Sequence, residues 1–110
     1  NFYNMKTINF SYNWNNKLDC KAFTTLRLSS RKKYKIGEDY SIYLKGEFVK
    51  DAKIVDIKTI WLHEINDFIA YLDTGYNKEE CTNVIKTMYK NVNFSKTQLD
   101  FILLKKVIIY

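Results

Sequence analysis

The sequence predicts one small α+β domain with a mostly antiparallel sheet, and three observations carry that prediction. Strand-like runs cluster early in the chain, two helical patterns follow, and a last strand-like run comes after them. Strands grouped in this way, rather than alternating with helices, favour antiparallel pairing. The 110 residues suffice for one domain and are too few for two with independent cores. There is no proline and there are only three glycines, so long irregular loops are disfavoured. Nine Tyr and seven Phe supply large side chains to fill a small core. The size, with no obvious protection of a free sheet edge, suits a small β-barrel with two flanking helices.

Met5 to Phe10 alternates loosely and reads as a first strand. Tyr12 to Cys20 holds three asparagines around Trp14 and Leu18, a polar connection or short helix with two apolar anchors. Lys21-Ala22-Phe23-Thr24-Thr25-Leu26-Arg27-Leu28 is β-branched and aromatic enough for a second strand. A basic loop, Ser29 to Lys35, leads to a turn at Gly37. Tyr40 to Leu44 alternates as a third strand, and Lys45-Gly46-Glu47 reads as a tight hairpin turn. Phe48 to Ile60 is a long fourth strand, with Ala52, Ile54 and Ile60 at apolar positions and Val55 and Ile57 opposite. A strand apolar on both faces belongs in a covered sheet.

After Thr59 the period changes. Leu62, Ile65, Phe68, Ile69 and Leu72 fall at helical spacing, and Gly75 is placed to end that helix. Asn77 with Glu80 three residues on resembles a capping box and starts a second helix, whose inward face is Cys81, Val84, Ile85, Met88 and Tyr89. Leu99 to Tyr110 reads as the last strand.

Charge narrows the function. The net charge is +6, and all of it arises before residue 59: twelve basic residues stand against six acidic ones up to Lys58, and six of each follow. This points to a basic face. No apolar run approaches the roughly 20 residues that span a bilayer, so no membrane partner is expected. Asn1 to Phe10 lacks the layout of a signal peptide, and Met5 resembles an initiator, which would make Asn1–Asn4 an addition. Cys20 and Cys81, two and far apart, suit reduced thiols in the cytoplasm. His63 is the one histidine and has no cysteine neighbour, so neither a metal nor any other cofactor is expected.

The second strand carries the chemistry. Alternation puts Lys21, Phe23, Thr25 and Arg27 on one face and Ala22, Thr24, Leu26 and Leu28 on the other. The second set is the better core face, so Lys21, Thr25 and Arg27 should meet something polar. An arginine there can grip a phosphate or carboxylate through two parallel hydrogen bonds.

This strand, with Tyr34-Lys35-Ile36-Gly37-Glu38-Asp39 after it, resembles the signature of the ASCH domain family: a Lys-Thr-x-Thr-x-Arg-type strand, then a basic-x-Gly-Asp turn. Ile42-Tyr43-Leu44-Lys45-Gly46, Ala52-Lys53-Ile54-Val55-Asp56-Ile57 and Leu72-Asp73-Thr74-Gly75-Tyr76 follow in similar order. The resemblance runs from about Met5 onward and implies a PUA-like β-barrel with a role in binding or processing RNA. Some members, including bacterial acetylcytidine amidohydrolases, use a lysine, a threonine and a glutamate. By that resemblance Lys21, Thr25 and Asp73 would be catalytic, with Arg27 and Thr24 contacting the ligand. Here one extra residue separates Lys21 from the Thr-x-Arg unit, and the acid is a methylene shorter. Displacements of an ångström weaken catalysis far more than binding.

The leading expectation is therefore an RNA- or nucleotide-binding domain. A small hydrolase (amidohydrolase or ribonuclease) acting on modified nucleosides or RNA is the first alternative, and a protein-interaction or inhibitor module the second. Trp14 is the expected stacking platform. Arg31, Lys32 and Lys33 are the expected phosphate contacts.

Overall fold

In the strand Lys6–Phe10 (β1), Ile8 and Phe10 turn inward while Thr7 and Asn9 face out. A computed structural model describes residues 6–108. The first residues, including the expected addition Asn1–Asn4 and Met5, and the last two lie outside the described residues. The elements then follow in the predicted order. A 3-10 segment (Trp14–Asp19) leads to β2 (Ala22–Leu28), β3 (Asp39–Leu44) and β4 (Glu47–Ile60). A 3-10 turn at Leu62–Glu64 precedes α1 (Asp67–Thr74), α2 (Lys78–Met88) and β5 (Leu99–Lys106).

The five strands form one curled sheet in the order β1-β3-β4-β5-β2. β1 runs parallel to β3, and the other three pairings are antiparallel. The expected barrel does not close. β1 and β2 are the two edges of an open half-barrel, and side chains span the seam between them. Phe10 meets Phe23 edge to face at 6.3 Å, and the Arg27 guanidinium lies 4.5 Å over the Phe10 ring. Lys45 and Gly46, with φ of 51° and 83°, make the two-residue hairpin between β3 and β4. That geometry matches the right-handed twist of the flanking strands.

Two apolar clusters lie on opposite sides of the sheet. The concave side holds Ile8, Phe10, Leu18, Phe23, Tyr40, Ile42, Ala52, Ile54, Ile102 and Leu104. On the other side Ala70 of α1 and Cys81 and Ile85 of α2 form a cluster with Leu62, Ile65 and the sheet residues Leu26 and Leu99. β2 is therefore covered on both faces, which corrects the expected split. Phe23 and Thr25 are buried on the concave side, whereas Ala22, expected in the core, is exposed. β4 also departs from simple alternation. A bulge between Ile54 and Asp56 shifts the register, so Ile57 rejoins the concave cluster and Val55 is left exposed. One extra residue inverts the phase of everything after it.

The first helix begins later than its apolar period implies. Asn66 caps it by accepting from the Ile69 amide, and Gly75, with φ 78°, ends it. Its buried side is Ala70, Asp73 and Thr74, while Phe68 is 75% exposed and Leu72 is half exposed. The second helix starts as predicted, the Asn77 side chain accepting from the Glu80 amide. Cys81 and Ile85 are its buried positions, and Met88 is exposed.

Candidate functional site

The segment between β1 and β2 builds the site. Asn15 and Asn16 both adopt the left-handed conformation, with φ of 58° and 52°. Asparagine tolerates this region better than other non-glycine residues, and the cost is still real. The Asn13 side chain accepts from the Leu18 amide and fixes the turn. This reversal buries Lys17 and Leu18 and leaves Trp14 half-buried.

Lys17 Nζ lies 3.0 Å from Asp73 Oδ1, with only 6% and 7% of the two side chains exposed. The same oxygen accepts from Thr24 Oγ1 at 3.0 Å. A buried ion pair is weak evidence for stability, because the desolvation penalty rivals the attraction. Buried ionisable groups in a cleft mark functional sites more often than chance. Burial lowers the Lys17 pKa below its ordinary 10.5, opposed by the Asp73 charge and its hydrogen bond, while the Arg27 charge pushes it further down. Burial pushes the pKa of the Cys81 thiol, close by in α2, above its ordinary value.

A cleft of about 270 Å³ opens above this pair, between the end of β1, the 3-10 segment, β2 and the two helices. Lys17, Asp73, Thr25 and Arg27 line its polar side; Phe10, Val84, Ile85 and Tyr89 are among its apolar walls. Arg27 Nε donates to Thr25 Oγ1 at 2.9 Å while the guanidinium lies on Phe10. Arg27 makes no ion pair among the described residues. Among the described residues its two Nη groups take no hydrogen-bond partner and the Thr25 hydroxyl donates to none, which leaves both as donors for a ligand. Asp73 Oδ2 takes no hydrogen bond among the described residues. The Lys21 and Ser29 pairings with β5 set the ladder's phase. Thr24 and Leu26 therefore turn their peptide groups away from β5, to the outer edge of β2.

Tyr12 and Trp14 also line the cleft, 4.6 Å apart between ring centroids, and Tyr76 meets Trp14 edge to face at 5.8 Å. Trp14 is thus half-buried and braced on two sides.

Of the residues expected from the sequence, the structure brings Thr25, Arg27, Asp73 and Trp14 to one cleft. Thr24 reaches Asp73 from the helix-facing side of β2. Lys21 does not join them: it is exposed, lies just ahead of β2 and does not line the cleft. Lys17 holds the position beside Asp73. Arg31, Lys32 and Lys33 are exposed on the Ser29–Lys35 loop, which is pinned at both ends. The buried Asp100 accepts from the Ser29 hydroxyl, the Ser30 amide and the Thr59 hydroxyl. At the far end the buried Tyr40 hydroxyl accepts from the Lys35 amide and donates to the Lys33 carbonyl. Lys17, Asp100 and the clamp role of Tyr40 escaped the sequence reading. Two adjacent asparagines able to reverse the chain were the available signal for Lys17.

No known protein family, curated protein or solved structure matches the chain.

Proposed function

We propose that the protein binds RNA or a nucleotide-like ligand, with one base held in the cleft beside Arg27. The observation that carries this reading is the guanidinium itself. It is oriented by Thr25, stacked on Phe10 and without a carboxylate partner among the described residues, in the lining of an aromatic-walled cleft. An arginine held this way presents a planar fork to a phosphate or to a base edge at little further entropic cost. Trp14, steadied by Tyr12 and Tyr76, offers a face on which a base can stack. Asp73 Oδ2 and the Thr25 hydroxyl supply one acceptor and one donor for polar groups on the base edge. The volume, about 270 Å³, is near the lower end of small-molecule sites and suits one base rather than a stacked pair. The resemblance to the ASCH family, and with it a PUA-like fold, agrees with this reading, as does the concentration of positive charge before residue 59.

Arg27→Ala is expected to lower RNA affinity by about 10- to 100-fold, the range for losing a charge-assisted hydrogen bond or a bidentate pair. Wild-type affinity should fall steeply as salt rises. Binding indifferent to salt, or equal in Arg27→Ala, would count against the assignment.

A second reading, hydrolysis of a modified nucleoside or of RNA, is favoured by one observation: the desolvated Lys17 amine lies in the cleft with a lowered pKa. Such an amine gives up its proton more readily and could activate a water or the Thr25 hydroxyl. Lys17, rather than Lys21, would then be the lysine. Lys17→Arg keeps the positive charge but not the labile proton. Equal turnover of acetylcytidine by wild type and Lys17→Arg would exclude this chemistry.

A further inference from the structure

The half-barrel leaves a seam between its two edge strands, and the cleft occupies only one end of it. At the other end is a groove lined by Lys6, Thr7, Ser30, Lys32 and Lys33. Here β1 faces the start of the Ser29–Lys35 loop, as at the cleft it faces β2. We infer that the whole seam binds one RNA strand, with an unstacked base in the cleft and neighbouring backbone phosphates on Lys32, Lys33 and Lys6. This rests on the nucleotide reading of the cleft and adds to it the strandedness, the footprint and the path.

Three features of the groove support a phosphate track. Lys32 and Lys33 make no ion pair among the described residues, whereas Lys6 is shared with Glu38 at 2.8 Å. The side chains therefore offer net positive charge to an anion. The loop that carries them is preorganised. Asp100 and the Tyr40 hydroxyl hold its ends, the Ser30 hydroxyl accepts from the Lys33 amide, and the Tyr34 amide bonds to the Ser30 carbonyl. A lysine on a fixed backbone loses less freedom on binding than one on a loose tail. The spacing also fits. Thr7 borders the groove and Phe10 borders the cleft, three residues apart on one strand. That is about 10 Å at roughly 3.3 Å per residue, so the groove lies close enough to the cleft for backbone phosphates next to the bound nucleotide to reach it.

A duplex fits this arrangement poorly. Reaching the floor of the cleft, where Lys17 and Asp73 are almost fully buried, requires a base out of its stack. Extracting one from a paired helix costs a few kcal/mol that a single strand does not incur. Sequence-tolerant binding to single strands combines these same parts, an aromatic stacking surface and a basic path for the backbone.

The test is a competition measured by fluorescence anisotropy on the full chain. The probe is a labelled, unstructured RNA decamer containing all four bases. Competitors are the unlabelled decamer, the decamer annealed to its complement, the four nucleoside 5′-monophosphates and a decaglutamate peptide. The decamer should bind at least tenfold more tightly than any monophosphate and at least tenfold more tightly than the duplex. Decaglutamate should compete at least tenfold more weakly than the decamer. In Lys32→Ala/Lys33→Ala the slope of log affinity against log salt should shrink by about 1.4, at ~0.7 per phosphate contact on a single strand. The advantage of decamer over monophosphate should shrink with it. If no monophosphate competes, the cleft reading fails and this inference fails with it. If a monophosphate competes but the decamer gains nothing, or the double variant keeps the wild-type slope, the track alone is overturned. A duplex or decaglutamate that competes as well as the decamer would also overturn it.

Discussion

Lys17 and Asp73 concentrate the tension between stability and function in one pair. Each leaves the other uncompensated when removed. Lys17→Ala should therefore cost about 3–5 kcal/mol, read as a lower urea midpoint with an unchanged slope. Replacing both at once, as Lys17→Met with Asp73→Leu, should recover most of that loss, because an apolar pair in such a site is often neutral or stabilising. The pKa direction gives a separate check. Lys17 titrates below 10.5 in the folded chain. Between that folded value and the ordinary one near 10.4, the unfolded chain binds more protons. Lys17's contribution to stability therefore rises with pH across that window and is lost as pH falls through the folded value. Asp73 opposes the lowering, so Asp73→Asn should drop the Lys17 pKa further, visible by NMR at its Cε. Asp73 was legible in the sequence, through a resemblance at the end of a helix. Lys17 was not, because two adjacent asparagines in an asparagine-rich run signal that the chain can reverse without marking which neighbour the reversal buries. The same run, with its left-handed Asn15 and Asn16, is what carries Lys17 inward.

At the scale of elements, the junction of α1 with the 3-10 segment is a close one. Gly75 takes a positive φ as the helix C-cap, and a Cβ added there would lie 3.0 Å from Asn15 Oδ1. Gly37 also has a positive φ, but an added Cβ would meet nothing within 4 Å. Both Gly→Ala substitutions strain the backbone, by about 1–2 kcal/mol. Gly75→Ala should cost more than Gly37→Ala by thermal or urea unfolding, the difference reporting the approach to Asn15. The basic loop makes a second case. Tyr40→Phe removes both hydroxyl contacts and should lower stability by about 1–2 kcal/mol. Hydrogen exchange at the Lys35 amide should speed up by more than the global loss explains. Element order was legible because each period persists long enough to read. Side-chain phase was not. In β2 both faces are covered, so neither shows the polar alternation of a solvated face. In β4 a bulge with no sequence mark inverts the pattern after Ile54.

At the scale of the molecule, the curled sheet explains why charge and chemistry meet. The strands, the 3-10 segment and the loop that line the seam come almost entirely from the first half of the chain, where the excess positive charge lies. The helices contribute Asp73, Thr74 and the apolar wall. The uneven charge was legible from composition. Failure of the barrel to close was not, because closure depends on whether two edges far apart in the sheet meet, and here Phe10, Phe23 and Arg27 fill the gap instead. The seam is accordingly the place to test for a ligand. The central claim is that a base sits in the cleft between Trp14 and Arg27. The most direct measurement is a ¹⁵N NMR titration of the protein with the four nucleoside 5′-monophosphates, following the Trp14 indole and Arg27 Nε resonances. A base in the cleft predicts that both move together, saturably, for at least one of the four, and that the Trp61 indole stays in place. Resonances of Trp14 and Arg27 that remain fixed while only the lysine loop responds would contradict it.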